Sequence, residues 1–388
     1  MKYWWGYLTA AIFAVISWAL MQFAKTHGIL VDMIYPYVTR LIINYLVDWT
    51  SGFKGLVWQT VLIAGILLAI GAIAWMIWKR KNPIRWIGWG LAVISLVFFL
   101  NTALYGLNAY TGPLADDLHL DVADYTVTEL NETAVFFRDK ANALAMEINR
   151  DEEGQPDIGS FEILAEKAGE GYENLTYEQA MSVFAGSTAP VKKWKIGAPK
   201  GNSGMTVALT GEAAVNPKVP AAALPFAMCK EMAHRMTIYS EADANFSAFL
   251  AGIHNPSPVF QYSAYLMAYH YCYEALASVP TSTAQACAKE TDKGVSALLR
   301  QDLEDCIDFY GETEVEPNIR TSDKSSDEET SLPVDLTFSS YSDVSDLLAS
   351  WYIQNYILPM HQEEEDPFDP FDPAQVDLSG IANAKKDD

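Results

Sequence analysis

Three long apolar stretches near the N-terminus restrict this chain more than any other feature of its sequence. They cover Tyr3 to Phe23, Leu56 to Trp78 and Ile84 to Tyr105, and each holds about twenty residues with almost no charge. A helix that rises 1.5 Å per residue needs about that length to cross roughly 30 Å of hydrocarbon. Tryptophan and tyrosine gather at the ends of the stretches, where side chains meet lipid headgroups. The sequence therefore predicts three transmembrane helices.

The basic residues give these helices an orientation. The loop 79–85 carries four basic residues and no acid, which by the positive-inside rule predicts a cytoplasmic loop. The N-terminus is then cytoplasmic, and the chain after Tyr110 is extracytoplasmic, as in a multi-pass protein of the cell membrane. A cleaved signal peptide would leave the rest of this topology unchanged. The long apolar core and the lack of a small-residue cleavage site favour an uncleaved anchor.

Acidic residues outnumber basic ones in this chain of 388 residues, whose formal net charge is −23 although half of its residues are apolar. The excess of acid lies mainly after the third apolar stretch. This argues against nucleic acid or an anionic membrane surface as a partner. The partner expected from the three apolar stretches is the lipid bilayer. All four cysteines lie in the same part, where Cys287 and Cys306 could form a disulfide or remain free thiols.

Periodicity divides the chain into three regions. Residues 1–109 form an α-helical membrane anchor, in which Ile34 to Trp49 predicts an amphipathic helix, either on the outer membrane surface or packed on the exported domain. Residues 110–360 predict an exported, mainly α-helical α+β domain, with a strand from Met205 to Thr210. Its helices are expected at 124–149, 176–184, 342–358 and, with breaks, 221–310. Residues 361–388 predict an acidic disordered tail.

The stretch Lys230-Glu231-Met232-Ala233-His234 nearly repeats the zinc-protease motif H-E-x-x-H. In that motif two histidines one helical turn apart bind the metal, and the glutamate takes a proton from the metal-bound water. Here Lys230 stands in place of the first histidine. Its ammonium has no lone pair, and neutralising a lysine of pKa near 10.4 at pH 7 costs about 4 to 5 kcal/mol. Lys230 is therefore expected to replace a metal ion electrostatically, facing Glu231 and Glu241.

A second segment strengthens the likeness. Ser240 is a good N-cap with Asp243 in the capping-box position, so a new helix is expected with Glu241 in its first turn. The pattern Glu241-x-Asp243-Ala244-Asn245 resembles the E-x-[E/D]-A-[D/N] segment of glutamate-type zincins. This resemblance implies that Glu241 is the third metal ligand and that Asn245 orients His234 through a hydrogen bond.

Further blocks across most of residues 30–358 make the likeness specific. They are a Tyr35-Pro36 turn, Tyr105-Gly106-Leu107-Asn108, Glu129-Leu130, Leu209 to Asn216, Leu224-Pro225-Phe226 and Tyr262 to Leu266. With these blocks the chain resembles a bacterial family of membrane proteins of unknown function, which have three N-terminal membrane helices and H-E-L-A-H where this chain has Lys230 to His234. The resemblance implies a zincin-like, zinc-metallopeptidase-like fold for the exported domain.

Other groups could complete a metal site in place of Lys230. Cys229 is adjacent, but it stands five residues from His234, about 140° around the helix, and so faces the wrong way. His270, with Glu274 four residues on, could reach in from across the pocket. A histidine on so aromatic a helix could equally be a packed, hydrogen-bonded side chain.

Two functions are compatible with these residues. In the first, the exported domain is catalytically inactive and holds no metal, and its groove binds an extended peptide or envelope protein as an added strand beside Met205 to Thr210. In the second, the protein is an active membrane-bound zinc metallopeptidase. Its ligands are then His234, Glu241 and either Cys229 or His270, and Glu231 is the general base. The missing histidine favours the first hypothesis.

Overall fold

The computed structural model describes residues 4–80, 83–311, 319–320, 337–338 and 343–359. Its helices are α1 (Trp5–Thr26), α2 (Gly28–Ser51), α3 (Val57–Trp78), α4 (Pro83–Leu104), α5 (Leu114–Asp117), α6 (Val127–Glu147), α7 (Phe161–Tyr177), α8 (Leu224–Arg235), α9 (Glu241–Ile253), α10 (Pro258–Ser278), α11 (Ser282–Lys293), α12 (Ala297–Tyr310) and α13 (Val344–Tyr352). Its strands are β1 (Tyr125–Thr126), β2 (Lys192–Lys193), β3 (Gly204–Val207), β4 (Glu212–Val215), β5 (Ile319–Arg320) and β6 (Thr337–Phe338). A mainly helical architecture with little sheet is thus confirmed for these residues, and the predicted tail 361–388 lies outside them.

Among the described residues, α1, α2, α3 and α4 are long and apolar enough to cross a membrane. The helices α1, α3 and α4 coincide within a few residues with the three predicted apolar stretches. None of the residues of α3 is buried inside the protein. A helix that is apolar on all sides and uncovered by protein suits a lipid environment rather than water.

The helices α1 and α4 pack side by side and run in the same direction. Near their N-termini, Gly6 lies so close to Gly88 that a Cβ atom on Gly6 would come within 2.5 Å of the Gly88 carbonyl carbon. Further along both helices, the rings of Phe13 and Phe99 lie 5.5 Å apart. Small residues permit such close approach between helices in a membrane. The N-terminus and the loop before α4 therefore lie at the same end of this pair.

The helix α2 begins directly after His27 and is longer than the predicted Ile34 to Trp49 segment. The Tyr35-Pro36 turn expected from the sequence is wrong, because Pro36 lies inside α2. A proline inside a helix leaves the carbonyl four residues earlier without its backbone donor. The turn between α1 and α2 is made at His27 instead, where the backbone leaves the helical conformation.

One face of α2 packs against the C-terminal region, by which we mean the residues after Tyr110. The Arg40 Nε donates to the Met236 carbonyl at 3.2 Å, and Ile43 and Val47 form a buried cluster with Ala208. The opposite face is apolar and exposed along its whole length. The amphipathic helix predicted for this segment is therefore present, in the packed one of its two predicted arrangements.

A buried carboxylate joins the start of α3 to the C-terminal region. Glu212 in β4 accepts hydrogen bonds from the backbone N–H groups of Val57 and Trp58 at 2.8 and 2.9 Å. Lys192 in β2 pairs with the same carboxylate at 2.8 Å and also donates to the carbonyl of Thr50 at the end of α2 and to that of Gly55 in the α2–α3 connection. The free N–H groups at a helix N-terminus favour an anion, so Glu212 caps α3.

The predicted helix at 176–184 is wrong. The structure has α7 over Phe161–Tyr177 and only a 3₁₀ turn at Ser182–Phe184. The buried side chains of α7 recur at helical spacing, at Leu164, Ala168, Tyr172 and Leu175. Two glycines in its middle lower its intrinsic helix propensity and weaken the pattern, whereas packing against the core stabilises the helix regardless.

The sheet next to the motif helix has the strand order β2-β4-β3. The strand β2 is parallel to β4, and β3 is antiparallel to β4, with Met205 opposite Ala214. The strand predicted over Met205 to Thr210 is therefore present, although it begins at Gly204 and ends at Val207. Within the part of the chain that the structure describes, β3 pairs with β4 alone and forms an edge of the sheet.

Candidate functional site

The motif residues line a cleft of about 490 Å³ between α8, the start of α9, β3 and the end of α4. We call it the motif cleft, and its lining residues are Tyr105, Asn202, Gly204, Met205, Thr206, Lys230, Glu231, His234, Tyr239, Ser240 and Glu241. The helix α8 is buried at all of its positions except that of Lys230. The helix α9 starts at Glu241, where the Ser240 side chain accepts a hydrogen bond from the Asp243 N–H, as the sequence predicted.

A cation and an imidazole share the carboxylate of Glu241. Lys230 Nζ lies 3.1 Å from Glu241 Oε2, and His234 Nε2 lies 3.3 Å from Glu241 Oε1. The Lys230 and His234 side chains are 17% and 10% exposed, whereas that of Glu241 is 71% exposed. The carboxylate thus reaches in from the mouth of the cleft and bridges two groups that stand one helical turn apart.

The pKa values of His234 and Glu241 move in opposite directions. Burial alone would lower the pKa of His234, but its hydrogen bond with Glu241 and the nearby charge of Glu231 outweigh burial and raise it. The hydrogen bond from His234 and the charge of Lys230 lower the pKa of Glu241 to about 2. The geometry therefore favours a protonated imidazole beside an ionised carboxylate.

Glu231 lies deeper than the trio, against the edge strand. Its carboxylate accepts a hydrogen bond from Thr206 Oγ1 at 3.0 Å, and the same hydroxyl also contacts the Glu231 carbonyl. This approach needs a glycine in the strand, since a Cβ atom on Gly204 would come within 2.4 Å of Glu231 Cγ. Burial raises the pKa of Glu231 in spite of the positive groups nearby.

A strained turn orients His234. The Nδ1 atom of its ring lies 2.9 Å from the Ile238 carbonyl. Thr237 in this turn has a φ of 76°, a left-handed conformation that is rare for a β-branched residue. The orienting hydrogen bond expected from Asn245 is made by Ile238 instead, and the Asn245 Oδ1 is buried without a partner among the described residues.

The alternative ligands considered from the sequence lie elsewhere. Cys229 Sγ is 4.0 Å from the Ala168 carbonyl on α7, away from the motif cleft, and burial raises its pKa to about 12. His270 does not line the cleft; it is buried in α10, and burial lowers its pKa to about 4. Cys287 and Cys306 are both free thiols.

The donor set of the motif cleft does not fit a zinc ion. A tetrahedral site of this type needs three protein ligands with lone pairs. The three ligand positions of the motif, 230, 234 and 241, here carry an ammonium, an imidazole and a carboxylate, so one of the three has no lone pair. Among the described residues, no group of three or more His, Cys, Asp or Glu side chains is arranged to hold a metal ion.

Sequence reasoning missed several residues of the cleft. Tyr105 directly follows α4, and its ring lies 5.5 Å from that of Tyr239. Thr206 and Gly204 come from the edge strand and contact or approach Glu231. In the sequence, the blocks Tyr105 to Asn108 and Leu209 to Asn216 indicated ancestry only. Two features of the sequence could have pointed to them, namely the position of Tyr105 at the end of a predicted membrane helix and that of Thr206 in the predicted strand.

The edge of β3 leaves backbone groups open beside the cleft. The Asn216 N–H donates to the Ser203 carbonyl at 2.8 Å, and these two residues stand opposite each other in the register of β3 and β4. Because antiparallel pairs alternate between bonded and non-bonded, the backbone N–H and carbonyl of Thr206 point away from β4. An added strand could bond to them.

Comparison with known proteins identifies a family but no activity. No curated protein and no solved structure matches the chain. A family model described as "Protein of unknown function (DUF3810)" matches residues 31–323. This range is more than half of the chain and includes most of α2, all of α3 and α4, and the motif cleft. The chain therefore belongs to the DUF3810 family of proteins of unknown function.

Proposed function

We propose that this protein is a membrane-anchored, catalytically inactive relative of zinc metallopeptidases, whose motif cleft binds an extended peptide without cleaving it. The observation that carries the proposal is the contact of Lys230 with Glu241, at 3.1 Å, in the place where a metal ligand would face a metal. A fixed side-chain cation there neutralises the carboxylate that a divalent ion would otherwise bind.

The open edge of β3 supports a peptide as the ligand. Its Thr206 backbone groups border the same cleft as Lys230 and Glu241. Addition of a strand to a sheet edge gives affinity through main-chain hydrogen bonds and is therefore tolerant of sequence. The pairing of a motif helix, a second helix that begins with a carboxylate, and an edge strand also supports a zincin-like ancestry for the C-terminal region.

The parallel packing of α1 and α4 supports three membrane spans rather than four. If α1, α3 and α4 span the membrane and α2 does not, α1 and α4 cross in the same direction, as their close contacts require. If α2 also spanned, α1 and α4 would run in opposite directions. With the basic loop 79–85 in the cytoplasm, the C-terminal region is extracytoplasmic, and Tyr105 brings the cleft to the membrane surface.

Peptide binding can be tested with the full chain in detergent micelles, using a randomised library of peptides about ten residues long. Thr206→Val and Thr206→Pro both remove the hydroxyl that contacts Glu231, but only proline removes the outward N–H, at an edge position where it is tolerated. Peptides should bind the valine variant and bind the proline variant at least about tenfold more weakly. Equal binding to both variants would contradict strand addition.

Inactivity can be tested by metal analysis and by mass spectrometry of the bound peptides. The wild-type chain, purified with zinc present, should carry no stoichiometric zinc and leave the peptides intact. Lys230→His should gain about one zinc per chain, because the introduced imidazole would complete the ligand set with His234 and Glu241. In that variant, the further change His234→Ala should remove the zinc again.

An active metallopeptidase remains the second candidate, because Glu231 is retained beside His234, with a raised pKa suited to a general base. Wild-type protein with stoichiometric zinc that is lost in His234→Ala, together with cleavage of the bound peptides, would establish it and overturn the inactive alternative.

A further inference from the structure

A second and larger cleft, of about 770 Å³, lies where the C-terminal region meets the first turns of α3. We call it the lysine cleft. Its walls come from the α2–α3 connection, the start of α7 and the chain around β2, and four lysines line it: Lys54, Lys192, Lys193 and Lys195. It shares no lining residue with the motif cleft. Because Lys54 is far in sequence from the other three, composition alone gave no sign of it.

Two of the four lysines are available to a ligand. Lys192 is engaged by Glu212 and by backbone carbonyls. Lys193 pairs at 3.3 Å with Glu162, whose side chain is 69% exposed, so this pair is weak and solvent-screened. Lys54 and Lys195 are exposed and make no hydrogen bond or close ion pair with any described residue. With the acids Glu162 and Glu166 also in the lining, positive charge still predominates.

Apolar side chains line much of the rest of the cleft, together with Ser51, Gln59 and Thr60, and they continue into the surface of α3. Phe53 and Ile196 are 49% and 65% exposed at its rim, and Ile63, on the second turn of α3, is 46% exposed inside it. Beyond Ile63, α3 has no buried residue. A molecule bound in the cleft would thus have cationic groups at one end and a lipid-facing helix at the other.

We propose that the lysine cleft binds an anionic phospholipid, with the headgroup phosphate between Lys54 and Lys195 and an acyl chain along α3. Lysine near a membrane surface attracts anionic lipid, and basic pockets beside membrane helices suit lipid phosphates. The net charge of −23 argues against a broad attraction to anionic surfaces, but this cleft is a local exception. The inference rests on the membrane anchoring of α3 and is independent of peptide binding in the motif cleft.

The test measures lipid retained by the full chain in native mass spectrometry, after release from detergent micelles that contain either phosphatidylglycerol or phosphatidylcholine. Phosphatidylglycerol should be retained in preference, and the double variant Lys54→Gln, Lys195→Gln should retain it about tenfold less. A matched control, Lys218→Gln with Lys289→Gln, removes two exposed lysines outside this cleft and should behave as the wild type. Unchanged thermal unfolding in both double variants would show that they fold.

Three outcomes would overturn the inference. Equal retention by the two double variants would mean that Lys54 and Lys195 do not hold the lipid. Equal retention of the two lipids by the wild type would indicate a nonspecific apolar contact with α3. Displacement of phosphatidylglycerol by excess inorganic phosphate alone would identify a site for a free anion and not for a lipid.

Discussion

Lys230 changes the chemistry of the motif cleft at the scale of a single residue. Its ammonium takes one oxygen of Glu241, while His234 takes the other. The sequence sufficed to expect this arrangement, because helical spacing puts positions 230 and 234 on one face. It did not suffice for the orientation of His234, which depends on the strained turn at Thr237 and the Ile238 carbonyl. A positive φ at a threonine has no sequence signal.

His234 should titrate above its usual pKa of about 6.5, since Glu241 and Glu231 stabilise its charged form. Its protonation then stabilises the fold below pH 6.5, and this contribution is lost as the pH rises through the folded-state pKa. The pH dependence for Glu241 is the reverse. Its ionised form stabilises the fold above the usual pKa of a glutamate, and this stabilisation is lost as the pH falls towards 2. NMR titration of ¹³C-labelled histidine, assigned with His234→Gln, measures the first of these values.

Glu241→Gln should lower the midpoint of the His234 titration, because a neutral amide then replaces the carboxylate that stabilises the charged imidazole. Glu290→Gln removes a carboxylate from an exposed ion pair with Lys293 and serves as the matched control, with no effect on His234. A wild-type midpoint at or below 6.5, or the same midpoint in Glu241→Gln, would contradict the structural assignment of this pair.

At the scale of elements, long-range hydrogen bonds fix where helices begin and how they dock. The sequence predicted α1, α3, α4, α6 and the region of α8 to α12 because their apolar spacing and caps are local. The docking of α3 could not be predicted, since Glu212 caps it from 155 residues away. The helix α7 was missed for a related reason, namely that tertiary packing stabilises a segment whose own propensity is low.

Glu212→Gln should lower the free energy of unfolding of the full chain by about 2 kcal/mol, because the amide has only one acceptor oxygen for the two helix N–H groups and leaves Lys192 without a charged partner. Thermal or urea unfolding in mild detergent measures the change. Glu162→Gln is a matched control, since it removes the partner of the neighbouring Lys193 at an exposed, solvent-screened site and should change stability much less than Glu212→Gln. Similar losses in the two variants would argue against a capping role for Glu212.

At the scale of the whole molecule, the direction of α1 relative to α4 determines which ends of the helices share a side of the membrane. Hydropathy alone admits four candidate spans, including α2. The proposal of three spans rests on the parallel contacts of α1 and α4 and on the packing of α2 on the C-terminal region. The amphipathic pattern of α2 had allowed either a surface or a packed position, and contacts between distant residues decided between them.

Reporter fusions test this topology. Alkaline phosphatase inserted after Gly55 should be active and a fluorescent protein inserted after Asn82 should be fluorescent, because three spans put these loops on the outer and the cytoplasmic side. Four spans with the same N-terminus would reverse both results. A fusion at the N-terminus, expected in the cytoplasm, fixes the reference side for the comparison.

Tyr105 lies one residue beyond α4 and still forms a wall of the motif cleft, where its hydroxyl contacts the Ile238 carbonyl at 3.4 Å. Arg40 of α2 holds the other end of the same turn through Met236. A fragment cut at residue 110 would consequently lack one wall of the motif cleft and the contact that supports another. Binding assays on such a fragment would be made with an incomplete cleft. Experiments on this protein should therefore use the whole chain, solubilised in detergent.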